Sequence, residues 1–278
     1  MASLRSLALL AALTALAAPA RAADASSWDR GHHSQARLVG GGPVPGEAGR
    51  LAGIEIRLDP GYKTYWRNPG DAGLPPVFDW SASRNVRGVE VVWPAPRRLD
   101  DPGGVSYGYE DGVTLPLKVT PETPGKPVEL GLSLHYGVCK EICIPAQANL
   151  RLPLAGDGAG AAPLLRAALE RAPRRQAPNE GALAVVSASA AGGRIRVLAR
   201  SPAGAQPQLF AEAPDGWYLG AVGAPVPASE GGANAAFEVE VLEKPKEAGG
   251  AVPLTFTLVA GPDAVETALS LDAGLLSR

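Results

Sequence analysis

Cys139 and Cys143 are the only cysteines in the chain, held in the run Tyr136-Gly-Val-Cys-Lys-Glu-Ile-Cys-Ile-Pro145. The intervening Lys140, Glu141 and Ile142 can form a tight turn that sets the two Cβ atoms about 4 Å apart, as a disulfide needs. So small a ring constrains the unfolded chain little, because the entropic gain of a cross-link grows with the loop it closes. A stabilising staple would better join distant strands. Strain and exposure instead mark bridges that exchange with other thiols. Three chemistries fit the pair: a redox-cycling dithiol, an inert hairpin clip of the sort exported proteins use freely, and, with His135, a soft thiolate–imidazole site for Cu(I). The copper reading needs reduced thiols and has no methionine cluster behind it, since Met1 is the only methionine. Lys140 favours a thiolate beside it and Glu141 opposes one.

The pair sits at the end of a strand. Val128, Leu130, Leu132, Leu134 and Tyr136 alternate with Glu129, Ser133 and His135, the pattern of a strand with one buried face. On that parity Cys139 falls with Ser133 and His135, away from the core. Period two recurs in Ala52 to Leu58, Val89 to Trp93, Val113 to Val119 and Leu150 to Leu154, with Gly, Pro and Asp clusters between. Antiparallel sheets packed as a sandwich satisfy such a pattern. Pro163 to Ala172 then predicts a short helix, with Pro163 at its start and Pro173 ending it. Further alternating runs follow at Ile195, Phe237 to Val241, Val252 to Leu258 and Val265 to Leu271. The expected fold is all-β: two immunoglobulin-like β-sandwiches joined by a helix and linker. The expected segments are a signal peptide over 1–22, a first sandwich over 23–155, helix and linker over 156–181, and a second sandwich over 182–278. Trp66, Trp80 and Trp93 are expected in the core, and burial is also expected for Trp217 and Tyr218.

A formal charge of −2 over 278 residues does not suggest a nucleic-acid surface. Arg5, the apolar run Leu7 to Ala18 and Ala20-Arg21-Ala22 form a secretory signal cleaved near Ala22, with the mature chain starting near Ala23. No later segment approaches a membrane span. Export to the periplasm is the expectation, where a disulfide persists. No phosphate loop, zinc-ligand spacing or serine-nucleophile motif is present.

Several motifs in order resemble one family. They are Gly61-Tyr-Lys-Thr-Tyr-Trp-Arg-Asn-Pro-Gly70, Gly73-Leu-Pro-Pro76, Val92-Trp-Pro-Ala-Pro96, Tyr107-Gly-Tyr109, Val113-Thr-Leu-Pro116 and the cysteine hairpin. Together they are similar to the periplasmic N-terminal domain of DsbD and of ScsB-type proteins, over roughly the first half of the mature chain. The resemblance implies an immunoglobulin-like sandwich and a dithiol/disulfide cycle with no cofactor beyond the thiols and no metal. It implies Cys143 as the attacking thiol and Cys139 as the resolving one. It also implies Tyr65 as an aromatic lining the site, and Asp100 and Asp101 in a shielding loop. The implied partners are a polytopic membrane thiol–disulfide carrier and periplasmic disulfide-containing or thioredoxin-like proteins. Where DsbD has an aromatic cap, this chain has Pro102-Gly-Gly-Val105, and Tyr107 and Tyr109 are the candidates to line the site in its place. The Cys-x3-Cys spacing follows the ScsB-like branch and is shorter than that of DsbD itself.

Overall fold

The computed structural model describes residues 24–44, 49–101 and 104–276. The signal peptide expected over residues 1–22 lies outside the described residues.

Among the described residues, eleven strands build the first half. They are β1 (Asp29–Gly31), β2 (Ser34–Pro43), β3 (Arg50–Leu58), β4 (Lys63–Gly70), β5 (Val77–Asp79), β6 (Val86–Val91), β7 (Arg97–Asp101), β8 (Gly104–Glu110), β9 (Gly112–Pro121), β10 (Glu129–Cys139) and β11 (Cys143–Pro153). One sheet runs β1-β2-β3-β9-β6. The other runs β11-β10-β4-β8-β7, with β5 also on β10. Leu38, Ile54, Leu115, Leu117, Leu130, Leu134 and Leu152 are sealed between them. These are the inward positions of the alternating runs, and burying a side chain of this size is worth about 1.5–3 kcal/mol each.

The helix α1 (Ala162–Glu170) has Pro163 in its first turn and packs against the first sandwich, with Leu165 fully buried beside Val39. A Cβ at Gly41 or Gly53 would collide with the Leu165 methyls. Those two glycines therefore make the socket for the helix.

The second half contains β12 (Arg174–Arg175), β13 (Ala184–Ala191), β14 (Arg194–Arg200), β15 (Gln208–Glu212), β16 (Tyr218–Leu219), β17 (Val226–Pro227), β18 (Ala235–Glu243), β19 (Ala251–Ala260) and β20 (Asp263–Asp272). Its sheets are β12-β20-β19-β15 and β13-β14-β18-β16, with β17 on β18. The all-β, two-sandwich architecture agrees with the sequence. Tyr218 departs from it: the side chain is 61% exposed, while Trp217 packs half-buried on the second core. The strand carrying Tyr218 is two residues long and lies at a sheet edge.

The sandwiches meet through the end of β4. Trp66 is fully buried, edge-on to Phe210 at 5.7 Å, and Tyr107 meets the same ring at 4.9 Å. Arg67 donates to both carboxylate oxygens of Glu212 at 2.8 and 2.7 Å and to Glu266 at 2.6 Å. Asn68 Nδ2 donates to the Ala211 carbonyl at 3.0 Å. Burial alone would lower the Arg67 pKa, but the two carboxylates outweigh it and raise it, so the guanidinium stays charged. Among the described residues no helix is long and apolar enough to cross a membrane.

Candidate functional site

The cysteines face each other directly across the β10–β11 hairpin, at the last pair of its register. They are disulfide-bonded, with Cα atoms 4.1 Å apart. Lys140, Glu141 and Ile142 form the turn, and the Lys140 N–H donates to the Ile142 carbonyl at 3.4 Å. Strand parity sends Cys139 to the outer face of its sheet, as the sequence implies. It is nonetheless completely buried, because Tyr65 of β4 comes across to cover it. Cys143 is exposed.

The cover is built by a wedge between strands. β4 pairs with β10 only at Lys63–Cys139, while β5 takes the place beside β10 at residues 133–135. The Tyr65 ring lies over Gly137, where a Cβ would overlap it, and Leu74 closes from the other side. Gly73 packs against the same ring. The phenol oxygen sits 2.8 Å from Cys139 Sγ and 2.9 Å from Cys143 Sγ. Neither sulfur of a disulfide carries a proton, so here the hydroxyl is the donor. One side chain thus touches both reacting atoms from the buried side.

Of the other residues singled out by sequence, Asp100 reaches the rim of the site. It is exposed, bonded to Arg98, and lines a groove of about 480 Å³ with Gly61, Lys63, Arg97, Glu110 and Lys140. Lys140 Nζ lies 5.7 Å from the centre of the Tyr62 ring. The Asp101 side chain and residues 102–103 of the expected shielding stretch lie outside what is described.

Tyr107 and Tyr109 are not brought to the sulfurs. Tyr65 pairs with Gly108 and Thr64 with Tyr109. Directly opposed residues share a face, so Tyr109 and its alternating neighbour Tyr107 take the core side while Tyr65 takes the sulfur side. The Tyr109 hydroxyl donates to the Pro94 carbonyl, and that of Tyr107 accepts from the Val222 N–H of the second sandwich. Burial pushes the pKa of both phenols up, that of Tyr109 well above the ordinary value.

His135 is exposed on β10, opposite Val77 and Gln147. Among the described residues no group of three or more His, Cys, Asp or Glu side chains could hold a metal ion. The soft-metal trio of Cys139, Cys143 and His135 is therefore not assembled.

An apolar rim runs along the hairpin, from its turn to the segment beside β10. Ile142 at the turn is 76% exposed, Val77 58% and Leu74 41%. Sequence reasoning missed this rim and the placement of Lys63 beside Cys139. The signal for Lys63 is its fixed distance from Tyr65 within one strand, which is usable only once the β4–β10 pairing is known.

A bridge at a hairpin tip, with one sulfur exposed and the other sealed under a tyrosine, defines an immunoglobulin-like domain built for access to a disulfide. Residues 44–155, which take in β3 to β11, match the family model described as Thiol:disulfide interchange protein DsbD, N-terminal. That stretch of the chain is thus similar to the N-terminal domain of DsbD. The fold of the chain is similar to the N-terminal periplasmic domain of ScsB from Proteus mirabilis, with a TM-score of 0.71 at 21% identity over 89% of this chain and 98% of that one. An endo-fucoidan hydrolase of glycoside hydrolase family 107 aligns at 12% identity over 77% of this chain and 35% of that one, and its TM-score of 0.16 carries no argument. No curated protein matches the sequence.

Proposed function

We propose that the chain is an exported thiol–disulfide interchange protein that passes reducing equivalents through Cys139 and Cys143. The observation that carries this reading is the asymmetry of the bridge: Cys143 is exposed and Cys139 is fully buried, under a hydroxyl that touches both. An incoming thiolate has access to Cys143 Sγ alone. Its attack forms a mixed disulfide, breaks the Cys143–Cys139 bond and leaves the electron pair on Cys139 Sγ, where the Tyr65 hydroxyl donates to it. The partner's second thiolate then attacks its own bridged sulfur and releases Cys143 as a thiolate. The partner leaves oxidised and the pair is reduced.

The forward half runs through the same atoms. Cys143 attacks a target disulfide and expels one target sulfur. Cys139 then attacks Cys143 Sγ, which restores the bridge and releases the target as a dithiol. No cofactor enters. The proposed donor is a polytopic membrane thiol–disulfide carrier, and the proposed acceptors are periplasmic disulfide-containing or thioredoxin-like proteins. The family description and the periplasmic origin of the ScsB domain support this placement. Asp100 and Ile142, on the approach to Cys143, are proposed to meet those partners.

The test uses the reduced protein, oxidised glutathione and mass spectrometry. Cys139→Ser should accumulate a stable glutathione adduct on Cys143. Cys143→Ser should form one far more slowly on Cys139. Equal adduct formation, or a native bridge that resists dithiothreitol in the folded protein, would refute the proposal.

A further inference from the structure

We infer that the partner exchanging with Cys143 makes a second contact, lodging a large apolar side chain of its cysteine-bearing segment in a pocket on the second sandwich; this reading rests on the exchange cycle proposed above. The pocket holds about 570 Å³. Its floor is Leu209, Val222 and Phe237, all buried, and exposed Ala224 forms part of its wall. Its mouth is polar, made by Arg98 and Asp100 of β7 with Gln208 of β15. An apolar floor under a few polar groups is how a site for one apolar group is built.

The mouth is held to the redox sandwich by hydrogen bonds. Arg98 Nη1 donates to the Val222 carbonyl at 2.7 Å and Nε to Asp100 at 3.0 Å, while the Arg98 backbone N–H donates to Gln208 Oε1 at 3.3 Å. The Val222 N–H donates to the Tyr107 hydroxyl at 3.1 Å. Val222 thus binds both β7 and β8, and the pocket keeps a fixed place relative to the sheet that carries the bridge.

The three mouth residues also line the 480 Å³ groove that reaches Lys140 in the cysteine turn. The two spaces therefore meet across the edge strand β7. Strand order in that sheet is β11-β10-β4-β8-β7. Four inter-strand steps of about 4.8 Å put β7 roughly 19 Å from the strand of Cys143, a span that about six to eight extended residues cover together with the entry to the pocket. A polypeptide bonded to Cys143 reaches the pocket, and glutathione, a tripeptide, does not. The groove between is lined by Arg97, Glu110 and Lys140, so the intervening residues of the partner face charged groups while the anchoring side chain faces apolar ones. The partner class this selects is a protein whose exchanging cysteine lies in an extended segment, with a leucine-like residue at that distance.

The test uses the full chain carrying Cys139→Ser, reduced, so that an adduct on Cys143 accumulates. The probes are symmetric disulfides of single-cysteine peptides of serine and glycine, with one leucine placed in turn at each position on either side of the cysteine. The Cys143 thiolate bonds to one peptide sulfur and the other peptide leaves as a thiolate, so attack at either sulfur gives the same adduct mass. Each rate is divided by that of the same protein with oxidised glutathione. Leucine about six to eight residues from the cysteine should raise this ratio about tenfold over the leucine-free peptide, as burial of part of one such side chain would. Leucine beside the cysteine should not. Ala224→Trp fills the pocket and should return the ratio to the leucine-free value. Ala224→Glu, at the same exposed position, gives the same reading if the first variant does not fold. A ratio indifferent to leucine, or a preference that survives filling the pocket, would overturn the assignment while leaving the exchange cycle in place. Absence of the glutathione adduct on Cys143 would instead remove the exchange cycle, and the pocket's role with it.

Discussion

Replacing Tyr65 by Phe removes one oxygen and leaves the ring that covers Cys139. The phenol lies 2.8 Å from Cys139 Sγ and 2.9 Å from Cys143 Sγ. In the oxidised protein it donates to a neutral sulfur, a bond worth about 0.5–1.5 kcal/mol net. In the reduced protein it faces a thiolate, and hydrogen bonds to charged groups are worth about 1.5–3 kcal/mol. The difference between the central values is roughly 1–1.5 kcal/mol in favour of the reduced state, close to tenfold. For a two-electron couple about 1.4 kcal/mol is 30 mV. Tyr65→Phe should therefore lower the reduction potential by about 30 mV.

The assay equilibrates native and variant chains with graded glutathione ratios at neutral pH, alkylates the free thiols and reads the reduced fraction by mass. The packing of Gly73 and Gly137 against the ring is kept, so the unfolding midpoint of the oxidised form should move little. A potential that stays put or rises would show that the hydroxyl is not a thiolate donor, and the proposed role of Tyr65 would fall.

Three other outcomes follow from the same contacts. Arg67→Met leaves Glu212 and Glu266, 19% and 15% exposed, facing each other without their shared cation. Chemical unfolding should show a loss of about 3 kcal/mol, the low end for a broken buried pair because the groups are partly solvated, and an unchanged midpoint would refute the clamp. The phenols of Tyr107, Tyr109 and Tyr136 are all raised, chiefly by burial. Above about pH 10 the unfolded chain releases protons that the folded chain keeps, so stability is complete below that pH and falls as pH rises beyond it. Urea midpoints should drop between pH 9 and pH 11, and flat midpoints would contradict the burial. Ile142→Asp, at the exposed turn, should leave the glutathione equilibrium near native while slowing mixed-disulfide formation with a thioredoxin-like protein severalfold. Equal rates would show that partners do not touch the turn.

Where one face of a strand is buried and the other wet, the sequence displays the strand. The long runs of β3, β9, β10, β19 and β20 alternate cleanly and were legible with their core sides. β2 was not, because Gly40-Gly41-Gly42 carries no side-chain pattern; two glycines there and in β3 are spaces for Leu165 of α1. β4 was legible only as motif. Lys63, Thr64, Tyr65 and Trp66 are all buried, so alternation in polarity disappears although alternation in direction remains. The cysteine turn and the face of Cys139 could be read from spacing and parity. Its burial could not, since the covering ring arrives from 74 residues away. Tyr107 and Tyr109 illustrate the same point: their distance from the sulfurs is decided by a pairing with β4 that composition does not encode.

The second sandwich grips the three residues that follow Tyr65. Trp66 meets Phe210, Arg67 meets Glu212 and Glu266, and Asn68 meets the Ala211 carbonyl. A strand side chain changes face with a one-residue shift in register. Such a shift in β4 would turn Tyr65 to the core and leave Cys139 uncovered. β4 touches β10 at a single pair, so its register is weakly held on that side. The pairing with β8 spans Lys63 to Tyr65 and then breaks until Gly70. The contacts across the domain boundary fall in that gap. Their physical effect is to fix the one alignment in which a single hydroxyl lies between a buried and an exposed sulfur.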